Sequence, residues 1–281
     1  MKKAVCFILC LILVFSLSGI AFAEEKPSVS IKTEDELATF LSGNNDIYEK
    51  AVLENDITVK ENYSPGNLSC LLDGKGHSII LKNKSTALIS EITEDAKIQN
   101  LIIDGKIGNK SGKAAVGICV ENNGTVENCA VIADISGKDA LYGICQTNNG
   151  NIYNCAVLSE PDTDTSYFWI PIAAENNGDI TACYYIADYV KDIKVEGRGL
   201  TKSECKNGKL LSELNARVDA NENMMRWNGK NRHYPGFDAD HSDNSPIIKV
   251  IIITLTVLTV ASVIICFMIY RRKSNKYSSI L

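Results

Sequence analysis

The pattern of apolar and polar positions repeats with a period of 26 to 28 residues. Residues 122–129 read NNGTVENC, residues 148–155 read NNGNIYNC, and residues 176–183 read NNGDITAC. A short apolar segment precedes each block, and a fourth, degenerate copy at residues 98–103 (IQNLII) aligns with residues 126–131. Short strands, Asn-Gly turns and the lack of a helical period predict a parallel β-solenoid with one turn per repeat.

Stacked turns of a solenoid place equivalent residues in columns, about 4.8 Å apart. One column should point inward, because a leucine occupies one of its positions; this core ladder is Leu101, Cys129, Cys155 and Cys183. A second apolar column is Ile98, Val126, Ile152 and Ile180.

Two further columns, one of asparagines and one of glycines, mark the corners between strands. An asparagine ladder lies where the chain must bend, because asparagine tolerates left-handed backbone angles and its amide can hydrogen-bond from coil to coil. This ladder is Asn100, Asn128 and Asn154. A glycine column, for which we expect positive φ angles, is Gly124, Gly150 and Gly178.

A helix is predicted after the last coil. Thr201 and Glu204 have the spacing of a capping box, and Leu210, Leu211 and Leu214 follow at helical spacing. We expect this amphipathic helix to cover the open end of the solenoid. The aromatic residues beyond it are expected to pack in the same cap rather than to form a sugar-binding platform; they are Trp227, Tyr234 and Phe237.

Both ends of the chain carry apolar segments. Residues 1–23 combine MKK, an apolar run and Ala21-Phe22-Ala23, which predicts a secretory signal cleaved after Ala23, the alternative being an uncleaved anchor. Residues 247–270 contain one charge, Lys249, and would span about 36 Å as a helix, enough for a bilayer core of about 30 Å. Arg271-Arg272-Lys273 follows and places the tail in the cytoplasm.

These segments predict a single-pass cell-membrane protein whose N-terminal domain is outside. Residues 238–246 lack an LPxTG-like motif, so membrane retention is favoured over cell-wall attachment. The expected division is a signal peptide at 1–23, an N-terminal cap with the first strands at 24–60, β-helix repeats at 61–195, a helical and aromatic cap at 196–240, a linker at 241–246, a transmembrane helix at 247–270 and a tail at 271–281.

The charge of the exported segment limits its partners. Two of the 29 basic residues lie in the first 23 positions and five follow Pro246, so the segment between carries 22 basic residues against all 34 acidic ones, a balance of −12. Nucleic acid is therefore not an expected partner, because affinity for phosphate backbones needs clustered Lys and Arg.

The repeats resemble those of GLUG-motif proteins, which are bacterial surface proteins with a motif close to G-L-V-G-x-N-x-G-x-I-x-N-C. Residues 117–129 are similar to it, with departures in the opening at Cys119 and Val120, and the third copy has Pro171 in place of the first glycine. Three further segments resemble parts of such proteins. The first turn is similar to residues 73–79 (DGKGHSI), the N-terminal cap to residues 31–40, and the closing segment to residues 227–235. The resemblance covers about residues 31–237 and implies an all-β fold: a right-handed, pectin-lyase-like parallel β-helix with N- and C-terminal caps, here followed by a transmembrane helix.

No catalytic, cofactor-binding or metal-binding residue is predicted. Seven cysteines lie in the exported segment; free buried thiols are favoured, while disulfides, such as one between Cys119 and Cys145, stay open. His77 is read as a turn residue, and His233 and His241 as solvated. The acidic residues of the coils fall at different repeat positions and should not share a face; they are Asp104, Asp134 and Asp179.

The sequence therefore favours a non-enzymatic surface module that binds a polysaccharide or another surface protein, because a long regular face suits a repeating ligand. A divergent carbohydrate-active enzyme of the pectin-lyase-like class is the alternative, and a structural spacer in a cell-envelope assembly is a third hypothesis.

Overall fold

The computed structural model describes residues 26–60, 64–82, 86–109, 114–137, 140–161, 168–191, 193–219, 221, 223–229 and 236–237. All of them belong to the first of the two units into which the chain divides, Met1–Asp238 and Ala239–Leu281. The predicted signal peptide, linker, transmembrane helix and tail lie outside the described residues. Within the described ranges, no helix has both the length and the apolar character that a membrane span requires.

Short strands separated by tight corners make up most of the described chain. The N-terminal part contains β1 (Ser28–Ile31), α1 (Glu34–Ser42), β2 (Lys50–Leu53), β3 (Ile57–Val59), β4 (Gly66–Leu68), β5 (Leu71–Asp73) and β6 (Ser78–Lys82). The repeat region contains β7 (Ile89–Ile92), β8 (Lys97–Gln99), β9 (Ile102–Asn109), β10 (Ala115–Val116), β11 (Cys119–Asn122), β12 (Thr125–Glu127), β13 (Ala130–Val131), β14 (Asp134–Gly137), β15 (Ala140–Tyr142), β16 (Cys145–Asn148), β17 (Asn151–Tyr153), β18 (Ala156–Val157), β19 (Phe168–Ile170), β20 (Ala173–Asn176), β21 (Asp179–Thr181) and β22 (Tyr184–Ile186). The C-terminal part contains a 3-10 turn (Ala187–Tyr189), β23 (Arg198–Leu200), α2 (Lys202–Lys206), α3 (Lys209–Val218), β24 (Trp227–Asn228) and β25 (Gly236–Phe237).

The strands from β1 to β23 stack into four parallel sheets, and β24 and β25 form a separate antiparallel pair. Sheet A is β1-β2-β5-β8-β12-β17-β21, and sheet B is β3-β6-β9-β13-β18-β22-β23, with β14 also paired with β9. Sheet C is β4-β7-β11-β16-β20, and sheet D is β10-β15-β19. The chain passes through sheets D, C, A and B in that order in each of the coils that begin with β10, β15 and β19. This topology confirms an all-β parallel β-solenoid.

The register of sheet A aligns the repeats as the sequence pattern does. Val126 pairs with Ile98 on one side and Ile152 on the other, and Ile152 pairs with Ile180. Ile98, Val126 and Ile152 are fully buried in one interior core that runs from coil to coil. Burying each such side chain contributes roughly 1.5–3 kcal/mol.

Helix α1 closes the N-terminal end of this interior. Thr33 and Glu36 form a reciprocal capping box at its start, with the Glu36 amide donating to Thr33 Oγ1 over 3.3 Å. Its apolar face, formed by Leu37, Phe40 and Leu41, belongs to the interior core. The apolar end of the interior is therefore covered by the helix.

The C-terminal helices do not cover the open end, so the predicted position of the helical cap is wrong. The capping box of Thr201 and Glu204 is present, but Leu210 and Leu214 of α3 join a second apolar cluster with Ala130 and Ala156, which face outward on sheet B. The far end of the interior is instead packed by the loop after β22, through Val190 and Val195. The outer face of sheet B is apolar, and burial of that face decides where the helix packs.

The glycine column also differs from expectation. None of Gly124, Gly150 and Gly178 has a positive φ. A β-carbon at Gly150 would lie 2.0 Å from the Gly124 carbonyl oxygen, and one at Gly178 would lie 2.0 Å from that of Gly150. Glycine is needed at this corner because successive backbones approach closely, not because of a left-handed turn.

Candidate functional site

The outer side of sheet C presents a column of carboxylates. Glu121 pairs in register with Glu91 in the coil before it and with Thr147 in the coil after it, and Thr147 pairs with Glu175. Partial exposure is seen for Glu91, Glu121 and Thr147, and Glu175 is exposed. The strands of sheet C contain these three glutamates and no Lys or Arg, so this side of the solenoid is acidic.

An exposed ladder of side-chain amides runs beside this column, at the corner after sheet C. Asn149 Nδ2 donates to Asn123 Oδ1 over 2.8 Å, and Asn177 Nδ2 donates to Asn149 Oδ1 over 2.9 Å. Asn123 also donates to Glu91 Oε1 over 2.9 Å, and Asn149 to Glu121 Oε1 over 3.1 Å. We call the carboxylate column and this ladder together the amide–carboxylate face; it comprises Glu91, Glu121, Thr147, Glu175, Asn123, Asn149 and Asn177.

A second, buried ladder fixes the same corner from inside. Asn122 Nδ2 donates to Asn148 Oδ1 and Asn148 Nδ2 donates to Asn176 Oδ1, each over 2.7 Å. Asn176 then donates to Glu196 Oε2 over 2.8 Å. Asn122 and Asn148 are fully buried. The exposed amides therefore follow directly after a buried, hydrogen-bonded row of side chains, and the stacking of the backbone sets their spacing of one coil.

The structure places the predicted core ladder in the interior. Leu101, Cys129, Cys155 and Cys183 are all buried. The thiols of Cys129, Cys155 and Cys183 each lie near the carbonyl oxygen two residues earlier, at 3.2, 3.3 and 3.4 Å. Burial raises the pKa of Cys155 and Cys183 well above that of an exposed thiol, which makes these sulfurs poor nucleophiles.

All seven cysteines in the described residues are free and buried. Cys119 and Cys145 are register partners in adjacent rungs, and burial raises the pKa of the Cys119 thiol well above its ordinary value. These thiols behave as small apolar side chains of the core rather than as a reactive centre.

The predicted asparagine ladder lies at the corner between sheets A and B. Asn100, Asn128 and Asn154 have φ angles of 52°, 52° and 53°. Asn128 Nδ2 donates to Asn100 Oδ1 over 2.8 Å, and Asn154 Nδ2 donates to Asn128 Oδ1 over 2.9 Å. All three are buried.

This ladder is covered by the chain itself. We call residues 221 and 223–229 the C-terminal strap. Its Met225 amide donates to Asn100 Oδ1 over 3.0 Å, Trp227 Nε1 donates to Asn128 Oδ1 over 2.6 Å, and Asn128 Nδ2 donates to the Met225 carbonyl over 2.9 Å. Trp227 packs against Phe237 with ring centroids 4.1 Å apart, and both are buried, as expected of cap packing; Tyr234 lies outside the described residues. The ladder therefore binds the strap and is not an open site.

The remaining candidate residues are not brought together. His77 Nδ1 lies 3.5 Å from Asp56 Oδ1, and the His77 amide donates to the Gly74 carbonyl in a turn over 2.8 Å.

The three aspartates of the coils occupy different register positions, because Asp104 pairs with Ile80, Asp134 with Lys106 and Asp179 with Asn151. His233 and His241 lie outside the described residues. Within the described ranges, no group of three or more His, Cys, Asp or Glu side chains could hold a metal ion.

Sequence reasoning missed the amide–carboxylate face. The signal for it is present in the repeat blocks, because the glutamate column directly precedes two of the three Asn-Asn-Gly corners, at residues 121–124 and 175–178. The asparagine that directly precedes the cysteine, Asn128 or Asn154, instead directs attention to the ladder that the strap covers.

No protein-family model matches the chain, and no curated protein matches it in sequence. Among solved structures, a crystal structure of a Bacteroides ovatus protein provisionally assigned as an immunoglobulin A1 protease is similar, with a TM-score of 0.39 and 13% sequence identity. The likeness covers 75% of this chain and 92% of that chain. A likeness at this level carries no argument about function.

Proposed function

We propose that this chain is a single-pass cell-surface protein whose exported solenoid binds an extended polysaccharide through the amide–carboxylate face, without an enzymatic step. The signal-like start, the apolar run at 247–270 and the basic residues after it support display outside the cell. The repeat motif supports membership of the GLUG-type bacterial surface proteins and a right-handed helix.

The observation that carries this proposal is the exposed amide ladder. The ladder places one amide oxygen per coil, at Asn123, Asn149 and Asn177, so hydrogen-bond acceptors recur at the rung spacing of about 4.8 Å, while both amide hydrogens of Asn149 are donated within the face. A linear polysaccharide presents hydroxyl groups that also recur along one direction. A rigid polar row can therefore bind successive sugar units with little loss of side-chain entropy.

The charge of the face narrows the class of polysaccharide. Glu91, Glu121 and Glu175 repel carboxylated or sulfated polymers, whereas carboxylates and amides both hydrogen-bond sugar hydroxyl groups. Neutral and amino-sugar polymers are therefore the expected ligands, and polygalacturonate is not.

Substitution of one ladder amide tests the proposal. In full-length protein, Asn149→Ala should weaken binding of neutral or amino-sugar oligosaccharides about tenfold, because it removes the central rung of the ladder. Asn151→Ala is the matched control, since Asn151 is also exposed but lies on sheet A. Calorimetric titration with cellohexaose, chitohexaose, a glucosamine hexamer and polygalacturonate measures the effect. No binding to the first three, or equal affinities for the two variants, would contradict the proposal.

One observation favours the alternative of a divergent carbohydrate-active enzyme. Glu91 and Glu121 are register partners in adjacent rungs, and glycosidases cleave with a pair of nearby carboxyl groups. Release of reducing sugar from the same oligosaccharides, abolished by Glu121→Gln, would replace the binding proposal with this one.

A further inference from the structure

The edge of sheet A at the N-terminal end carries backbone groups for which the described part of the chain shows no hydrogen-bond partner. In a parallel pair, alternate residues direct both of their backbone groups to the same neighbour. The Glu54 amide donates to the Ile31 carbonyl over 3.0 Å, so Val29 and Ile31 face β2. Ser28 and Ser30 therefore direct their N–H and C=O groups to the opposite edge, where no described strand pairs with β1.

The neighbouring sheet edges at this end are covered. Glu34 of α1 accepts the amide of Lys60, directly after β3, over 2.6 Å. Asn45 donates to the carbonyl of Asn67 in β4 over 2.7 Å and accepts the amide of Ser69 over 2.7 Å. Among the described residues, the edge of sheet A thus differs from those of sheets B and C in lacking a cover.

A groove of about 520 Å³ lies between this edge and α1. Apolar surface in the groove comes from Val29, Phe40 and Tyr48, and the ring centroids of Phe40 and Tyr48 are 6.1 Å apart. The charged residues that line the groove, Asp35 and Glu36, are both acidic. The groove therefore combines an open strand edge, apolar side chains and negative charge.

We propose that β1 and this groove bind an extended peptide with alternating apolar and basic residues, which extends sheet A by one rung. The Ser28 and Ser30 backbone groups pair with the peptide backbone, as in other complexes formed by strand addition. The apolar side chains of the peptide lie on the Val29 side against Phe40 and Tyr48, and its basic side chains complement the Asp35 carboxylate. This site is separate from the amide–carboxylate face and does not depend on it.

The proposal is tested with a synthetic probe, fluorescein-labelled Lys-Val-Lys-Phe-Lys-Val-Lys, and the full-length chain in a mild detergent. Ser30→Pro removes the Ser30 N–H from the open edge, whereas Ser30→Ala keeps it, and both lose the same hydroxyl contact with Glu54. Fluorescence anisotropy should show at least a tenfold weaker affinity for Ser30→Pro than for Ser30→Ala. Asp35→Asn should weaken binding severalfold and reduce its dependence on salt.

Three results would overturn this assignment. The first is equal affinity of the Pro and Ala variants for the probe, and the second is equal binding of a probe with Glu in place of Lys. The third is self-association of the chain that Ser30→Pro abolishes, which would assign the edge to a second copy. If Ser30→Pro unfolds, a probe with N-methylated alternate residues replaces it, and undiminished binding of that probe to the natural chain would also refute strand addition.

Discussion

Ala182 occupies the position that asparagine fills in the three preceding coils. Its φ angle is 52°, the same left-handed conformation as at Asn100, Asn128 and Asn154. Left-handed angles cost a residue with a β-carbon roughly 1–2 kcal/mol, and asparagine tolerates them better than alanine. Asn154 Oδ1 is buried and accepts no hydrogen bond from a described residue. The fourth coil thus keeps the backbone of the ladder without its amide.

Ala182→Asn should therefore stabilise the protein. The new amide can donate to Asn154 Oδ1, and the backbone strain falls, so we expect the free energy of unfolding to rise by about 1 kcal/mol. Urea denaturation measures the change. Ala182→Gly is the control, because it relieves the backbone without adding an amide, and it should give a smaller gain. Unfolding of Ala182→Asn at lower urea than the natural chain would contradict this explanation of the ladder.

For single residues, the sequence predicts the local structure correctly where only one physical reason explains why that residue type occurs. The left-handed bend at Asn128 could be read from the chain because few other side chains tolerate that conformation. The role of Gly150 could not, because a close approach of two backbones and a positive φ both select glycine.

The inward cysteine column is an element of the core whose packing depends on protonation. Burial raises the pKa of Cys155 and Cys183 well above that of an exposed thiol, and it raises the pKa of Cys70 and Cys205 to about 11. An unfolded chain ionises its thiols from about pH 8.5. A group with a higher folded-state pKa stabilises fully below the unfolded value, and its contribution is lost as pH rises towards the folded value.

Stability should accordingly fall between about pH 8.5 and pH 11. Urea midpoints measured at half-unit steps from pH 7.5 to 10.5 test this, and the natural chain should lose stability steadily over the upper half of that range. Cys155→Ala is the comparison, because it removes one buried thiol and should give a shallower slope even if it is less stable at pH 7.5. A slope that Cys155→Ala leaves unchanged would show that other groups cause the alkaline loss.

Elements differ in how far the repeat pattern predicts them. The strands of sheet A follow from the spacing of Val126, Ile152 and Ile180, because a period set by stacking appears directly in the sequence. The position of α3 does not, because its apolar face could cover the open end or the outer side of sheet B. The apolar outward residues Ala130 and Ala156 decide it, and their orientation is known only once the register is known.

At the scale of the whole molecule, the solenoid separates two kinds of polar ladder. The strap covers the ladder of Asn100 and Asn128, and the ladder of Asn123, Asn149 and Asn177 faces solvent. The first holds the C-terminal segment along several coils, and the second is left for a ligand. Ligand binding therefore requires the amide–carboxylate face to be accessible on the outside of the cell.

The most direct measurement is labelling of one introduced thiol on intact cells. The cysteines of the solenoid are buried, so Asn149→Cys should react rapidly with a membrane-impermeant maleimide, while the natural chain reacts little. A second variant, Ser278→Cys in the predicted cytoplasmic tail, should react only after the cells are permeabilised. Rapid labelling at position 149 with protection at position 278 is the predicted result, and protection of position 149 on intact cells would contradict the account.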